Sequence, residues 1–336
     1  MEVNGKKSIL IVCLMGCALI LAIFLTRSAQ AQKVIEWKML SSWSGENPNV
    51  KAFVVPFVEK LNQRAAGRLK ISWFGPESVP AFEQFKPVRE GLFDALYTNS
   101  SYHIGEVAVG VGMDLQSATS KEMRAAGLFK ILDEAYRKKA NMTYLAGTAN
   151  GVGYTLYLKK KINKADLTGL KIRSSPLYDP LIITLGGAPV RMPLGEVYSG
   201  LEKGVVDGIM MMAIGVLDYK WYEVVKYIMR PRFGEVVCQI LVNLDSWNRL
   251  PKDLQDLATK TAIEIEDEGR AVIVKLFESE EKELQRRGME LVVFPQKEAE
   301  KFLNTYYERT WEELVLKRDP EFGPRLKEAV DRMRKK

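Results

Sequence analysis

A single arginine, Arg173, stands where this sequence is best suited to bind a ligand. Residues 170–172 alternate apolar and polar side chains after a glycine-containing turn, which predicts a short strand with Arg173 at its carboxyl end. Ligand groups gather at this edge of α/β sheets. The guanidinium is a planar fork of N–H donors that matches a carboxylate or a phosphate. We therefore expect Arg173 to bind an anionic group, and a surface salt bridge is the alternative.

The elements that would hold Arg173 follow from the residues after it. The pattern predicts, in order, a helix over 181–185, a strand over 189–192, a helix that ends at Gly204, and a strand that starts at Val205. Glycines end both helices. Residues 166–212 are therefore predicted to form a βαβαβ unit with Arg173 at its mouth.

Three blocks within this stretch resemble one protein family. They are DLTGLKIR at residues 166–173, LGGAPV at 185–190 and EVYSGLEKGVVDG at 196–208. Their order and spacing are similar to those of the periplasmic solute-binding subunits of TRAP transporters, the DctP-type family. Weaker likeness extends over residues 37–314. The resemblance implies two α/β lobes that close over an organic acid, and an arginine at the position of Arg173 that binds its carboxylate.

The fold implied by the resemblance is a two-lobed α/β periplasmic-binding-protein fold with a hinge and a ligand cleft between the lobes. We expect lobe I to comprise residues 32–150 and 237–277, and lobe II residues 151–236 and 278–336. A helix is predicted from Pro251 onward, because one apolar face continues through Leu254, Leu257, Ala258, Thr261, Ile265, Gly269, Val272 and Leu276. About thirty residues of helix span roughly 45 Å, enough to brace both lobes.

The first candidate cleft residues lie in the amino-terminal part of the chain. Trp43 follows a strand predicted over residues 35–40, in a loop that lines the cleft in the family; the alternative is that it covers the hydrophobic core. A second strand, predicted over 93–97, leads into a polar and aromatic segment that contains Asn99 and Tyr102. These residues could form a pocket floor, or only a polar connecting loop. The segment resembles the family branch that binds 2-oxo and related monocarboxylic acids.

Further candidates come from the middle of the chain. Tyr154 is expected to enclose the ligand, whereas Gly153 stands where relatives often carry a second polar ligand residue. Met211 lies in a run of three methionines, whose thioethers suit neither sodium nor calcium. We therefore expect no metal site and an apolar pocket wall, with core filling as the alternative. Gly153 and the run of methionines both differ from the pattern of the family, and both favour a monocarboxylate with an apolar part over small dicarboxylates.

Composition and the absence of known sequence motifs narrow the classes of protein to which this chain could belong. Net charge is +7, from 49 basic and 42 acidic residues, but the two signs are interleaved, so we expect no nucleic-acid partner. The glycines at 151 and 153 fit no nucleotide motif, and we expect no cofactor. His103 is the only histidine, which leaves no catalytic triad. The chain is therefore expected not to be an enzyme, although convergent carboxylates keep an exported carbohydrate or organic-acid enzyme open.

The amino terminus predicts export. Lysines at 6 and 7 precede an apolar run over residues 9–25, and Ala29-Gln30-Ala31 forms a small-x-small cleavage site. We expect residues 1–31 to be a signal peptide and the mature protein to be periplasmic. If the apolar run is retained as an anchor, a membrane-anchored sensory domain is the alternative function. By resemblance the partners are a carboxylate ligand and the TRAP membrane permease; we expect a monomer and leave a dimer open.

Overall fold

Strands alternate with helices along the chain in the computed structural model, which describes residues 34–149 and 151–334. The strands of one sheet are β1 (Ile35–Ser41), β2 (Leu69–Phe74), β3 (Ala95–Asn99), β4 (Met142–Ala149) and β10 (Val237–Asn243), in the order β2-β1-β3-β10-β4. Those of the second sheet are β5 (Tyr154–Leu158), β6 (Lys171–Ser174), β7 (Ala188–Arg191), β8 (Gly208–Met212), β9 (Tyr227–Arg230) and β11 (Glu290–Val293), in the order β11-β9-β5-β8-β6-β7.

Helices connect and cover these strands. The α-helices are α1 (Val55–Arg64), α2 (Phe85–Arg89), α3 (Ser120–Ala125), α4 (Leu128–Ala140), α5 (Asp179–Thr184), α6 (Val197–Glu202), α7 (Leu244–Asn248), α8 (Lys252–Arg286), α9 (Gln296–Arg309) and α10 (Gly323–Arg334). A π-helical turn (Val50–Val54) leads into α1, and another (Thr310–Leu316) follows α9. Short 3₁₀ segments are Ser100–His103, Ala108–Leu115, Leu194–Glu196 and Trp221–Glu223.

The predicted βαβαβ unit is confirmed. Strand β6 pairs in parallel with both β7 and β8, and α5 and α6 form the connections. The predicted start of the third strand at Val205 is wrong, because β8 begins at Gly208. The backbone N–H groups of Val205 and Val206 instead donate to the carbonyl oxygen of Gly200, at 2.8 and 3.3 Å. They satisfy a carbonyl at the end of α6 and are not available to extend the strand.

The chain passes between the sheets three times: through two short crossovers, from β4 to β5 and from β9 to β10, and through the long helix α8, which lies between β10 and β11. The crossovers pair with each other: Tyr154 N–H donates to the Phe233 carbonyl at 2.8 Å, and Phe233 N–H donates to the Tyr154 carbonyl at 3.1 Å. Gly153 and Gly234 have φ of +66° and +61°. A Cβ atom at Gly153 would lie 2.8 Å from the Gly234 carbonyl oxygen. Both conformation and space therefore demand glycine at position 153.

Helix α8 is the long helix predicted from the apolar pattern, with 35 residues and a length of about 52 Å. Its buried face differs from the prediction at the carboxyl half. Val272 and Leu276 are exposed, and the buried face continues through Ile273 and Glu280. Glu280 is buried because its carboxylate accepts hydrogen bonds from the backbone N–H groups of residues 215 and 217, at 3.0 to 3.1 Å.

The carboxyl-terminal region is largely helical. The chain there forms α9, a π-helical turn and α10. The π-helical turn and α10 pack against the 3₁₀ segment Ala108–Leu115, and α10 also contacts α4. These partners lie on the side of the first sheet. The assignment of residues 278–336 to the second lobe remains a prediction, and these contacts do not favour it for residues 310–334.

The amino-terminal prediction concerns residues 1–31, which lie outside the described residues. Over the part of the chain that the structure does describe, no helix has the length and apolar character needed to cross a membrane. The signal peptide and the alternative anchor therefore both remain predictions.

Close packing between α8 and the π-helical turn predicts the effect of a substitution at Gly269. A Cβ atom there would lie 2.9 Å from the Ala52 carbonyl oxygen and would overlap the Phe53 ring. We expect Gly269→Ala to lower the free energy of unfolding by about 1–3 kcal/mol, although alanine is ordinarily the better helix former. Urea unfolding measures this loss. Gly105→Ala is the control, because Gly105 faces open space; an equal effect in both variants would contradict the packing argument.

Candidate functional site

A cavity opens where the two sheets and both crossovers approach one another. It is lined by Trp43, Asn47, Asn49, Asn99, Ser101, Tyr102, Tyr154, Arg173, Ser175, Tyr178, Leu194, Met211, Met212, Val236 and Cys238. Its volume is about 50 Å³. This is more than the roughly 10–15 Å³ that one water molecule needs. A small molecule fits such a space.

Arg173 is held at this cavity by the strands on either side of its own. Its Nε donates to the Met192 carbonyl just after β7, at 2.9 Å, and Nη1 donates to the Met210 carbonyl in β8, at 3.3 Å. The side chain is only 2% exposed. Nη2 is buried and has no hydrogen-bond partner within the described chain. The surface-salt-bridge alternative is wrong, because a buried guanidinium with a free donor lines a cavity.

All six residues predicted for the site line this cavity: Arg173, Trp43, Asn99, Tyr102, Tyr154 and Met211. The structure therefore brings them together, and their role in binding a ligand remains a prediction. Trp43 satisfies both interpretations proposed for it. Its indole N–H donates to the Tyr102 hydroxyl at 3.3 Å, while its ring packs edge-on against buried Tyr97 at 5.7 Å.

The polar atoms of Asn99 and Tyr154 are engaged by a residue behind the cavity wall, Asp114. The Tyr154 hydroxyl donates to Asp114 Oδ1 at 2.5 Å, and Asn99 Nδ2 donates to the same carboxyl at 3.2 and 3.3 Å. The side-chain oxygen Oδ1 of Asn99 accepts hydrogen bonds from the backbone N–H and the hydroxyl of Ser101. These groups therefore form an internally bonded wall with few donors left for a ligand.

Asp114 also connects the two crossovers. Its carboxyl holds Tyr154 after the first crossover and accepts from Val237 N–H after the second, at 3.1 Å. Its backbone carbonyl accepts from Glu235 N–H at 3.0 Å and from the Tyr306 hydroxyl at 3.2 Å. Complete burial raises the pKa of Asp114 to about 7, against the lowering effect of these hydrogen bonds. Burial raises the pKa of neighbouring Glu235 to about 7 as well.

The methionine run gives the cavity an apolar and sulphur-lined side. Met211 and Met212 line the cavity, whereas Ile209 and Met210 are buried away from it. The prediction of an apolar wall holds for the former pair, and the core-filling alternative describes the latter. In the described residues no group of three or more His, Cys, Asp or Glu side chains could hold a metal ion. The absence of a metal remains a prediction.

His103 takes no part in the cavity. Its Nε2 is 2.7 Å from the Tyr136 hydroxyl and its ring stacks on Phe85. Burial lowers the pKa of His103 to about 3, so the ring is neutral at physiological pH. His103 is thus a buried structural residue in a 3₁₀ turn.

Sequence reasoning missed several residues that shape the site, among them Asn49 in the lining and Asp114 behind it. Each of these two left a signal. Asp114 is an acidic residue inside the apolar stretch AVGVGMDL. An ionisable side chain in a buried segment usually has specific bonding partners. Asn49 directly precedes the helical segment that starts at Val50, a position typical of a capping residue. Its side chain makes no capping hydrogen bond and lines the cavity instead.

Comparison with known proteins places most of the chain in one family. Residues 39–317 match the family described as bacterial extracellular solute-binding protein, family 7, or DctP. A monocarboxylate 2-oxoacid-binding periplasmic protein of Nostoc sp. is 26% identical over 68% of this chain and 66% of its own length. A solute-binding protein of Albidiferax ferrireducens is 24% identical over 62% of this chain and 65% of its own. The chain thus spans slightly less than two thirds of each relative.

Solved structures have the same fold. A TRAP transporter solute-binding protein from Bordetella bronchiseptica, with copurified calcium and picolinate, superposes with a TM-score of 0.80 at 22% identity, over 89% of this chain and 92% of that one. An extracytoplasmic solute receptor from Bordetella pertussis that binds pyroglutamic acid gives a TM-score of 0.77 at 17% identity, over 89% and 100% of the two chains. The predicted two-lobed α/β fold is confirmed by this likeness.

The buried carboxyl of Asp114 predicts a dependence of stability on pH. The unfolded chain loses this proton near pH 4, whereas the folded protein keeps it to about pH 7. Because the folded state binds more protons between these values, the free energy of unfolding falls as pH rises through this window. We expect Asp114→Asn to reduce the fall between pH 5 and pH 8 by about 2 kcal/mol.

Urea unfolding at the two pH values tests this expectation. Glu235 and Glu266 have pKa values raised in the same direction, to about 7, and remain in the variant, so part of the fall persists. The control is Asp256→Asn on the exposed side of α8, which should keep the full dependence of the unmodified protein. An identical fall in wild type and Asp114→Asn would contradict the prediction.

Proposed function

Because this chain belongs to the DctP family of bacterial extracellular solute-binding proteins, family 7, we propose that it captures an organic monocarboxylate outside the cytoplasm and delivers it to a TRAP-type membrane permease. The resemblance noted in the sequence is thereby a family membership. The ligand class is inferred from the chemistry of the cavity, and the permease from the family.

The single observation that carries the ligand class is the buried guanidinium of Arg173. It is the only charged side chain among the described residues that line the cavity. The two carbonyl oxygens bonded to it are neutral, and Nη2 has no partner in the described chain. Burying a charge without a counter-charge is costly. A ligand carboxylate would supply both the missing charge and the acceptor for Nη2.

One positive charge favours a ligand with one negative charge. A second carboxylate would lie among the aromatic and sulphur-containing walls, where no described side chain carries a compensating charge. The small volume, about 50 Å³, also favours a short acid. The Nostoc relative, described as binding monocarboxylate 2-oxoacids, is of the same charge class.

Binding without chemical conversion accounts for this cavity. Neither a carboxylate nor a histidine occurs among the described lining residues, so no acid–base pair faces a ligand there. We therefore infer that the protein is not an enzyme. The sensory-domain alternative depends on retention of residues 9–25 and has no support from the cavity itself. Export by residues 1–31 and an extracytoplasmic location accord with the family.

A thermal-shift screen of the protein lacking residues 1–31 tests the ligand class. The panel would contain short monocarboxylates, dicarboxylates, sugars and free amino acids. A ligand present at one hundred times its dissociation constant should add about 2.7 kcal/mol to the free energy of unfolding, which raises Tm by several degrees. We expect the response to be confined to monocarboxylates. A response to sugars alone, with none to acids, would reject the proposal.

The role of Arg173 is tested by substitution. We expect Arg173→Ala to weaken binding of the best monocarboxylate by about tenfold to a thousandfold, or roughly 1.4–4 kcal/mol, as measured by titration calorimetry. Arg191→Ala is a matched control, because Arg191 lies in the same sheet, is largely exposed and pairs with Asp179. Its affinity should be unchanged. Equal affinity in Arg173→Ala and wild type would remove the arginine from the site.

A further inference from the structure

Asn49, which lines the cavity, carries a second buried polar atom without a partner among the described residues. The residue is 2% exposed and stands at the start of the helix that continues into α1. An asparagine in this position ordinarily accepts a hydrogen bond from a backbone N–H of the first turn. Here the side chain makes no such bond, and it is Asn47 Oδ1 that accepts from the Asn49 backbone N–H, at 2.9 Å. The Asn49 side chain is thus diverted from the helix towards the cavity that it lines.

The orientation of the Asn49 amide follows from its neighbours. Nδ2 lies 3.4 Å from Met212 Sδ and 3.6 Å from Cys238 Sγ. A thioether has no hydrogen and can only accept, so the amide atom beside Met212 Sδ must be the nitrogen. The carbonyl oxygen Oδ1 is then directed elsewhere. It is buried and has no hydrogen-bond partner within the described residues.

Several of the other polar groups of the cavity are engaged. Asn99 and Tyr154 are bonded to Asp114, and Ser101 donates to Asn99 Oδ1 at 2.6 Å. Among the described lining residues, the buried side-chain nitrogen and oxygen atoms without a partner are Arg173 Nη2 and Asn49 Oδ1. One is a donor and the other an acceptor. A ligand that satisfies both must combine an anionic acceptor with a hydrogen-bond donor.

We propose that Asn49 is a specificity-determining residue whose carbonyl oxygen accepts a hydrogen bond from a ligand hydroxyl, so that the protein selects short hydroxy monocarboxylic acids over the matching 2-oxo acids. This inference rests on the proposed capture of a monocarboxylate by Arg173. It names the class of ligand within that function.

Two competing ligand classes fit the pair of atoms less well. A 2-oxo group carries only acceptor lone pairs, so it would leave Asn49 Oδ1 unpaired and place two oxygens against each other. An ammonium group could donate to Asn49 Oδ1, but the described lining residues include no acidic side chain, and Arg173 already supplies the positive charge. An amino acid would therefore bury an uncompensated charge. A hydroxyl donates without adding charge.

The test is titration calorimetry of the wild-type protein with a matched series: lactate, pyruvate, alanine and propionate. These differ at one position, which carries a hydroxyl, an oxo, an ammonium or no polar group. Leaving a buried polar atom unpaired has a free-energy cost that corresponds to about tenfold to a hundredfold in affinity. We expect lactate to bind more tightly than the other three by at least about tenfold.

Substitution of Asn49 separates a specific from a structural role. The variant Asn49→Leu keeps the approximate shape of the side chain but removes the acceptor. We expect it to weaken the affinity for lactate by about tenfold or more, and to change the affinity for pyruvate by less than about threefold. Met212→Leu is a second variant that leaves Asn49 in place and conserves core volume. It removes the thioether that orients the amide, so it should lower the ratio of lactate to pyruvate affinity.

The outcomes are distinguishable. Tighter binding of pyruvate or alanine than of lactate, or equal weakening of all ligands in Asn49→Leu, would overturn the role of Asn49 while leaving capture by Arg173 intact. Monocarboxylate binding that does not depend on Arg173, or no monocarboxylate binding at all, would overturn the proposed function and this inference with it. Selective loss of affinity for lactate in both variants would establish that Asn49 recognises the hydroxyl group of the ligand.

Discussion

A buried guanidinium without a counter-charge among the described residues is the constraint on which this structure depends. The order β8-β6-β7 places against Arg173 one carbonyl oxygen from β8 and one from the residue just after β7. These oxygens fix the orientation of the guanidinium and replace part of its hydration, but they cannot neutralise its charge. The side chain is therefore positioned before any ligand arrives, and its Nη2 group has no partner among the described residues. Arrangement in advance reduces the entropy that binding must lose, which is how a small cavity can bind a small anion well.

Asp114, a buried ionisable group behind the cavity wall, has a different role. Its carboxyl gathers donors from the cavity wall and from the second crossover, and its raised pKa reflects burial that these hydrogen bonds only partly offset. Because Asn99 and Tyr154 are bonded to Asp114, these hydrogen bonds fix the shape of the cavity wall. Among the described lining residues, Arg173 and Asn49 carry the buried atoms without a partner, while Asp114 fixes the wall beside them.

Much of the fold could be predicted from the sequence, because the elements with strong local signals formed as expected. Strand β1 and the βαβαβ unit around Arg173 were predicted from the local sequence pattern, and the apolar periodicity after Pro251 predicted the long helix. The errors arose where tertiary partners override local pattern. Val205 has the composition of a strand residue, yet it closes a helix. Glu280 is an ionisable residue, yet it is buried, because backbone N–H groups distant in sequence donate hydrogen bonds to its carboxyl group. Asn49 and Asp114 were missed for the same reason: their partners lie far away in sequence, and no spacing rule connects them.

The three connections between the sheets constrain how the two halves can move. Helix α8 is tied to the first-sheet side by Glu266, which pairs with Arg124 and accepts from Gly147 N–H, and to the loop after β8 by Glu280. These bonds have fixed directions, so the helix resists sliding at both attachments. In the two crossovers Gly153 and Gly234 have positive φ, a conformation that other residues rarely adopt. Asp114 bonds to residues beside both glycines, and it also holds the polar wall of the cavity. Any change in the angle between the sheets would therefore alter the cavity wall through this one residue.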